Sequence, residues 1–306
     1  MDKITEEILK EITDWDKVFE GAYSLRENGE CISFQNSDHI RIVRKEDKSG
    51  IDIYISDKAS GETVYIPACV TKSAVRDLVY NDFHVKSGAD VTIVAGCGVH
   101  TDSDEGSNHN GIHRFFLEEG SHVIYREKHI GIGEGSGDRV IDPVTYAELD
   151  KDAVLEMETI QLRGVDRTTR KTSAKLGCGA RLIIHESIMT DGSESARTDF
   201  EVDLEGEDSS VDLVSRSVAK GDSVQEYRSV INGRVRCTGH SECDAILSEN
   251  GKVNAMPALN ATSTDANLIH EAAIGKIAGE QIIKLMTLGL TEEEAEEKII
   301  AGFLGV

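Results

Sequence analysis

Proline is scarce in this chain, with three among 306 residues, and aromatic residues make up only 5%. Few proline breaks therefore interrupt its β-forming runs. Positive charge is also in deficit: 33 basic residues face 56 acidic ones, for a formal net charge of −23. A nucleic-acid-binding protein needs a basic footprint to neutralise phosphates, so no nucleic-acid partner is expected. No apolar run is long enough to span a bilayer, and the opening MDKITEEILK mixes charges without the apolar stretch of a signal peptide. The expectation is a soluble, cytoplasmic protein with no membrane association. Six cysteines (Cys31, Cys69, Cys97, Cys178, Cys237 and Cys243) are too sparse for a disulfide framework. In a reducing compartment they are free thiols, buried filler or ligands.

Several catalytic signatures are missing as well. There is no G-x-x-x-x-G-K-[ST], so the chain carries no Walker-type ATPase of its own. The glycine-rich stretch Gly131-Ile-Gly-Glu-Gly-Ser-Gly137 lacks the following lysine and helix and reads as a loop. Neither a G-x-S-x-G elbow nor an H-E-x-x-H pair occurs, so a conventional hydrolase finds no support.

What is present is a chain that is 39% hydrophobic and 29% charged, enough to bury a large core in one domain or two. Residues 3 to about 24 read as a helix, because Ile4, Ile8, Ile12, Trp15 and Phe19 recur at three- and four-residue steps. Asn28-Gly29 marks the exit into strands, which closes an N-terminal helical segment at 1–29. From 30 to 267 short β runs alternate with Gly, Asp and Ser turns. Small residues precede β runs at 89, 121, 153, 180 and 210, in steps of 32, 32, 27 and 30. A rung near thirty residues suits a β-solenoid, although a sandwich also produces strands at this density. The region 268–306 reads as a helical hairpin. Ile274, Ile277, Ala278, Ile282, Leu285 and Leu288 form one stripe ended by Gly289, and Thr291 with Glu294 forms a capping box for the last helix.

The densest ligand group is Cys237-Thr-Gly-His240-Ser-Glu242-Cys243-Asp244, whose thiolates, imidazole and carboxylates suit iron, an iron–sulfur cluster or zinc. C-x5-C is not a standard zinc-finger spacing, and small buried filler is the competing reading of both cysteines. His270-Glu271 follows Cys243 by 27 residues, about one coil if the period holds. A second group is Cys97-Gly-Val-His100 with His109 and His113, whose intervening stretch is shorter than a zinc finger needs. Cys31, Cys69 and Cys178 have no clustered partners and read as filler.

These residues carry a resemblance. Leu268-Ile-His-Glu-Ala-Ala-Ile-Gly-Lys-Ile-Ala-Gly-Glu-Gln-Ile-Ile-Lys-Leu-Met and Gly239-His-Ser-Glu-Cys-Asp-Ala-Ile-Leu247 resemble the SufB/SufD family of iron–sulfur cluster assembly proteins. Gln161-Leu-Arg-Gly-Val-Asp166 and Val214-Ser-Arg-Ser-Val-Ala-Lys220 also fit, and the likeness is greatest to the short SufB-like proteins of archaea and anaerobic bacteria. The resemblance implies a mainly β fold, a right-handed parallel β-helix with an N-terminal helix and a C-terminal helical hairpin. It implies a non-catalytic scaffold that holds a nascent [4Fe–4S] or [2Fe–2S] cluster for apo iron–sulfur acceptor proteins. It further implies that the C-terminal helices dock a SufC-like ABC ATPase and that a second copy pairs through the β-helix. Cluster residues carried over are Cys243, His270 and Glu271, with Cys237, His240 and Glu242 beside them. The resemblance implies that sulfur enters at Cys97, while the residue pattern itself leaves open a second metal site of Cys97, His100, His109 and His113. The N-terminal region is much shorter than in long SufB and lacks an obvious C-x2-C-x3-C run, so no cluster site is expected there.

In this reading ATP drives the ATPase subunits together and opens the paired scaffolds, exposing the cluster residues. The rivals are a permanent metalloprotein, whose cluster would not transfer, and an architectural partner of the ATPase with inert cysteines. A β-helix carbohydrate enzyme is disfavoured by the low aromatic content.

Overall fold

The computed structural model describes residues 3–13 and 18–305. Helix α1 (Lys3–Thr13) leads into two hairpins, β1 (Ala22–Glu27) with β2 (Glu30–Gln35) and β3 (Ile40–Arg44) with β4 (Gly50–Ile55). Long strands follow: β5 (Ser60–Val70), β6 (Arg76–Val85), β7 (Asp90–His100), β8 (Ser107–Leu117) and β9 (His122–Ile132). Pro143, which cannot donate to a ladder, separates the short β10 (Arg139–Ile141) from β11 (Val144–Leu149). Then come β12 (Val154–Gln161), β13 (Arg167–Leu176), β14 (Arg181–Thr190), β15 (Ser195–Leu204) and β16 (Ser209–Ala219). The last strands are β17 (Val224–Gly233), β18 (Cys237–Leu247), β19 (Lys252–Ala261) and β20 (Ala266–Gly275), before α2 (Gly279–Met286) and α3 (Glu292–Leu304).

Successive strands alternate between two ten-stranded sheets, ordered β2-β1-β5-β7-β9-β12-β14-β16-β18-β20 and β19-β17-β15-β13-β10-β8-β6-β4-β3, with β11 continuing the place of β10 between β13 and β8. Apart from the hairpins β1–β2 and β3–β4, the pairings are parallel. The chain is thus mainly β, with 59% strand wound into a solenoid of about 8 turns.

The solenoid period explains the small residues. Ala89, Ser121, Ala153 and Ala180 are fully buried at the corner that opens each coil. The ladder steps Asp90↔His122, His122↔Val154, Val154↔Arg181 and Arg181↔Ser210 are 32, 32, 27 and 29 residues. The corner after Ala180 is therefore Ser209, one residue before the expected 210, because that coil is one residue shorter than the repeat suggested. Inward positions alternate along each strand and build one continuous core of aliphatic and aromatic side chains.

Three sequence expectations change. The N-terminal helix ends at Thr13 instead of continuing to about 24, and β1 begins at Ala22. Trp15 lies outside the described residues. Asn28-Gly29 is the tip of the β1–β2 hairpin and not a helix exit, with φ values of 48° and 87° at its two residues, as a type I′ turn requires. At the other end the ladder continues past 268: Ile274 pairs with Ala245 in β18, and Ala278 is the N-cap of α2. Pairing with an existing strand overrode the helical spacing of that stretch.

α1 lies on the outer face of the first sheet, its Ile8, Leu9 and Ile12 packed against Leu25, Cys69 and Ile130. Two glycines of β7 permit the approach: a Cβ at Gly98 would fall 2.4 Å from Ile8 Cγ2, and one at Gly96 2.8 Å from Ile12 Cβ. α3 begins with the expected capping box of Thr291 and Glu294 and seats Ile300 and Leu304 against Val218. α2 buries none of its residues. No helix among the described residues is long and apolar enough to cross a membrane.

Candidate functional site

The alternation of β18 and β20 divides the expected cluster residues between two faces. Cys243 points into the solenoid and is 1% exposed. Its ladder neighbours are Ser215 on one side and Ala272 on the other. Burial, then the charges of Glu186 and Asp244, pushes its thiol up to about 12. His270, which pairs in register with Ser241, shares the inward face, and its Nδ1 is buried without a hydrogen-bond partner.

Glu271 is on the opposite face, in register with Glu242. There the ligand atoms of His240, Glu242 and Glu271 lie within 4.8 Å of one another. His240 is held by an Nδ1 contact to Asp212 Oδ1 at 2.8 Å, which turns Nε2 toward Glu271 at 3.9 Å. A carboxylate on one imidazole nitrogen fixes the tautomer that leaves the other free to bind a metal.

Cys237 is also inward, but six residues of extended chain separate it from Cys243, roughly 20 Å. One ion or cluster cannot take both thiols from this strand. The eight-residue ligand group that looks dense in sequence is spread along a strand and across its two faces.

The Cys97 group is likewise dispersed. Cys97 faces inward, and burial pushes its thiol well above the ordinary value. His100, three residues on, contacts Asp102 at 3.2 Å. His109 Nδ1 sits 2.8 Å from Asp77 Oδ2. His113 is brought down to about 4 by burial, against the opposing pull of Glu127. Among the described residues only two clusters bring three ligand atoms together, His240/Glu242/Glu271 and Asp52/Asp82/His84, and neither includes these four. Of the residues read as filler, Cys69 is buried under α1, Cys31 is half-buried, and Cys178 is exposed at a turn, so filler does not describe Cys178.

Sequence reasoning missed a buried polar network between the two cysteines. Glu127 accepts from Tyr125 Oη at 2.8 Å and from Arg170 Nη1 at 2.6 Å. Burial alone would raise this carboxyl, but His129 and Arg170 outweigh it and hold it well below the usual range. Arg170 also reaches Glu186 at 3.4 Å, and Glu186 accepts from Thr198 and Ser215 at 2.9 and 2.8 Å. Ladder registers place Glu127, Thr159, Glu186, Ser215 and Cys243 in one inward row along the axis. Cys97 stacks on His129 in the adjoining row. Five coil steps separate the two cysteines, about 24 Å at ordinary strand spacing. The readable signal was parity, since each charged residue sits an even number of positions from a core residue of its own strand.

The family model described as "SUF system FeS cluster assembly, SufBD core domain" matches residues 77–303. The chain belongs to the SufBD family. A SufBD family protein of Archaeoglobus fulgidus is 28% identical over 275 residues, covering 88% of this chain and 72% of that protein. One from Methanothermobacter thermautotrophicus is 29% identical over 265 residues, 83% of this chain and 62% of the relative. The iron–sulfur cluster assembly protein SufB of Bacillus subtilis is 31% identical over 96 residues, 30% of this chain and 21% of that protein. This SufBD chain therefore spans only part of its curated relatives' length. Both Cys243 with His270 and the outer His240/Glu242/Glu271 cluster fall within the matched SufBD core.

Proposed function

We propose that this SufBD family chain is a non-catalytic scaffold on which an iron–sulfur cluster is assembled as cargo at the β18–β20 end of the solenoid. The observation that carries the reading is the pairing of these two strands. It sets Cys243 and the unpartnered His270 inside, with Glu242, Glu271 and His240 just across the same strands. A thiolate with harder, more readily exchanged nitrogen and oxygen donors suits cargo that must later leave.

Cys243 cannot serve while buried and protonated, because cluster ligation requires the thiolate. Assembly therefore needs a second state in which the last coil opens. A SufC-like ABC ATPase supplies the drive in this proposal, docking on α2 and the turn after it, where Ile283, Met286 and Leu288 are exposed among the described residues. The ATPase shifts the scaffold by the difference in its affinity for the two states. A second copy pairs at the free edges of β19 and β20, and apo iron–sulfur proteins receive the product. Cys97 marks the inner position nearest to where sulfur enters, and the polar row leads from there to Cys243.

The test is anaerobic co-purification with the ATPase, reconstitution with iron and sulfide, and Mössbauer and visible spectra of wild type, Cys243→Ala and Glu271→Ala. A cluster that forms in wild type, weakens in both variants and transfers to an apo-protein is the expected result. Variants that bind a cluster normally would remove this site assignment.

A further inference from the structure

Behind the two N-terminal hairpins the solenoid encloses a cavity of about 340 Å³. Its rim carries Arg44, Lys45 and Lys48 beside Glu30, and its floor Cys97, His113 and His129 beside Glu127, whose charge Arg170 Nη1 meets at 2.6 Å. On a chain of net charge −23 three cations gather at this rim, and Arg44 is the one of them without an ion pair among the described residues. Lys45 is engaged by Asp52 and Asp82 at 2.6 and 2.8 Å. Arg44 makes no ion pair among the described residues; it donates to the Cys31 carbonyl at 3.2 Å and lies over the Phe34 ring. Lys48 sits 4.6 Å over Tyr80 and 3.9 Å from Asp47.

Inside, two buried polar atoms have no hydrogen-bond partner, His113 Nδ1 and Asn81 Oδ1. Their residues are ladder neighbours, 5% and 6% exposed, and both line the cavity. Leaving such groups unsatisfied costs about 1–3 kcal/mol each, so a guest that hydrogen-bonds here recovers free energy. Its chemistry follows from the walls. Arg44 and Lys48 at the rim favour an anion, and a floor of thiol and imidazole, with the Glu127 charge met by Arg170, suits a small polarisable one. Cys97 lines this cavity at 2% exposure, so little of its thiol is open to a cysteine carried on another folded protein.

We propose that this cavity admits free hydrosulfide as the scaffold's sulfur source, in place of a persulfide handed over by a donor protein. The proposal rests on the scaffold reading above. Sulfur enters already at the oxidation level of sulfide, so no bond to Cys97 forms and no reductant is consumed. The neutral His113 imidazole donates a hydrogen bond to the anion, and Cys97 offers its S–H as a weaker donor. The row from Glu127 to Cys243 is then the inner path toward the assembly end.

Crystals of the full chain soaked anaerobically with hydroselenide should show an anomalous selenium peak beside His113, lost in His113→Leu. In solution, the Arg44→Glu/Lys48→Glu double variant should raise the sulfide concentration for half-maximal cluster formation about tenfold, and less at high salt. Arg44→Gln/Lys48→Gln, a gentler change, should shift it in the same direction. Absence of selenium from the cavity, or a sulfide response unaltered in both double variants, overturns the proposal. So does cluster formation from a protein-bound persulfide where free sulfide gives none. If no sulfur source yields a cluster, the scaffold reading fails, and the selenium peak still decides whether the cavity binds the anion.

Discussion

A thiol as buried as that of Cys243, pushed up to about 12, is almost wholly protonated at neutral pH in the closed solenoid. Alkylation therefore reports opening. At pH 8, iodoacetamide should label the exposed Cys178 readily and leave Cys243 unlabelled, as read by peptide mass spectrometry. If the proposed coupling holds, adding a SufC-like ATPase with ATP should raise Cys243 labelling at least about tenfold, since the thiolate is the reacting form. Equal labelling of both residues in the free chain would show that the closed state described here does not dominate. His113 gives a second residue-level test. Burial lowers its pKa from 6.5 to about 4, despite the opposing charge of Glu127. Between those values the unfolded chain binds more protons than the folded one. Its contribution is thus complete above about pH 6.5 and is lost as pH falls toward 4, a change of about 3 kcal/mol. Urea unfolding across that window should show His113→Leu losing less stability on acidification than wild type. Parallel pH profiles for the two proteins would assign the acid sensitivity elsewhere.

The clearest element-scale prediction concerns the contact of α1 with β7. Gly98→Ala places a methyl group against Ile8 Cγ2 and should cost about 1–3 kcal/mol by thermal unfolding. In a double-mutant cycle, Ile8→Ala with Gly98→Ala should cost less than the sum of the single changes, because truncating Ile8 relieves the clash. Strict additivity would mean that α1 does not rest on this glycine. Nothing in the local pattern announces that contact, since Gly96 and Gly98 are legible only once the helix is placed across them. The corner residues Ala89, Ser121, Ala153 and Ala180 were legible because a solenoid repeats one steric demand per coil. The capping box at Thr291 was legible because its signal is confined to four residues. Ile274 misled because its spacing fits a helix while β18 offers it a strand partner. The candidate site shows the same division. Its residue types were visible in the sequence, but the separation of Cys243 from Glu271 follows from strand parity. The Glu127–Arg170–Glu186 network emerges only when non-adjacent strands are set in register.

At the scale of the whole molecule, the parallel ladder ends at β19 and β20 with no further strand among the described residues. β19 and β20 close the two sheets with free edges, and Met256 and Ile269 on them are 42% and 46% exposed. Such edges offer backbone donors and acceptors to another strand. A second copy satisfies them in the proposed assembly, yet two copies bring together net charges of −23 each. Association is then a balance between short-range edge pairing with apolar burial, which salt hardly weakens, and long-range repulsion, which salt screens. The dimer should therefore tighten with ionic strength, its dissociation constant falling about tenfold or more between roughly 10 and 150 mM salt, where the screening length shrinks from about 30 to about 8 Å. Sedimentation equilibrium of the full chain at several salt concentrations measures this directly. Met256→Lys with Ile269→Lys should weaken the dimer at every salt concentration, because it places ammonium groups where apolar surface is to be covered. Their positive charge should also make the salt dependence shallower. A dimer that weakens with salt would instead mean that complementary charges hold the copies together, on a surface other than the β19–β20 edges.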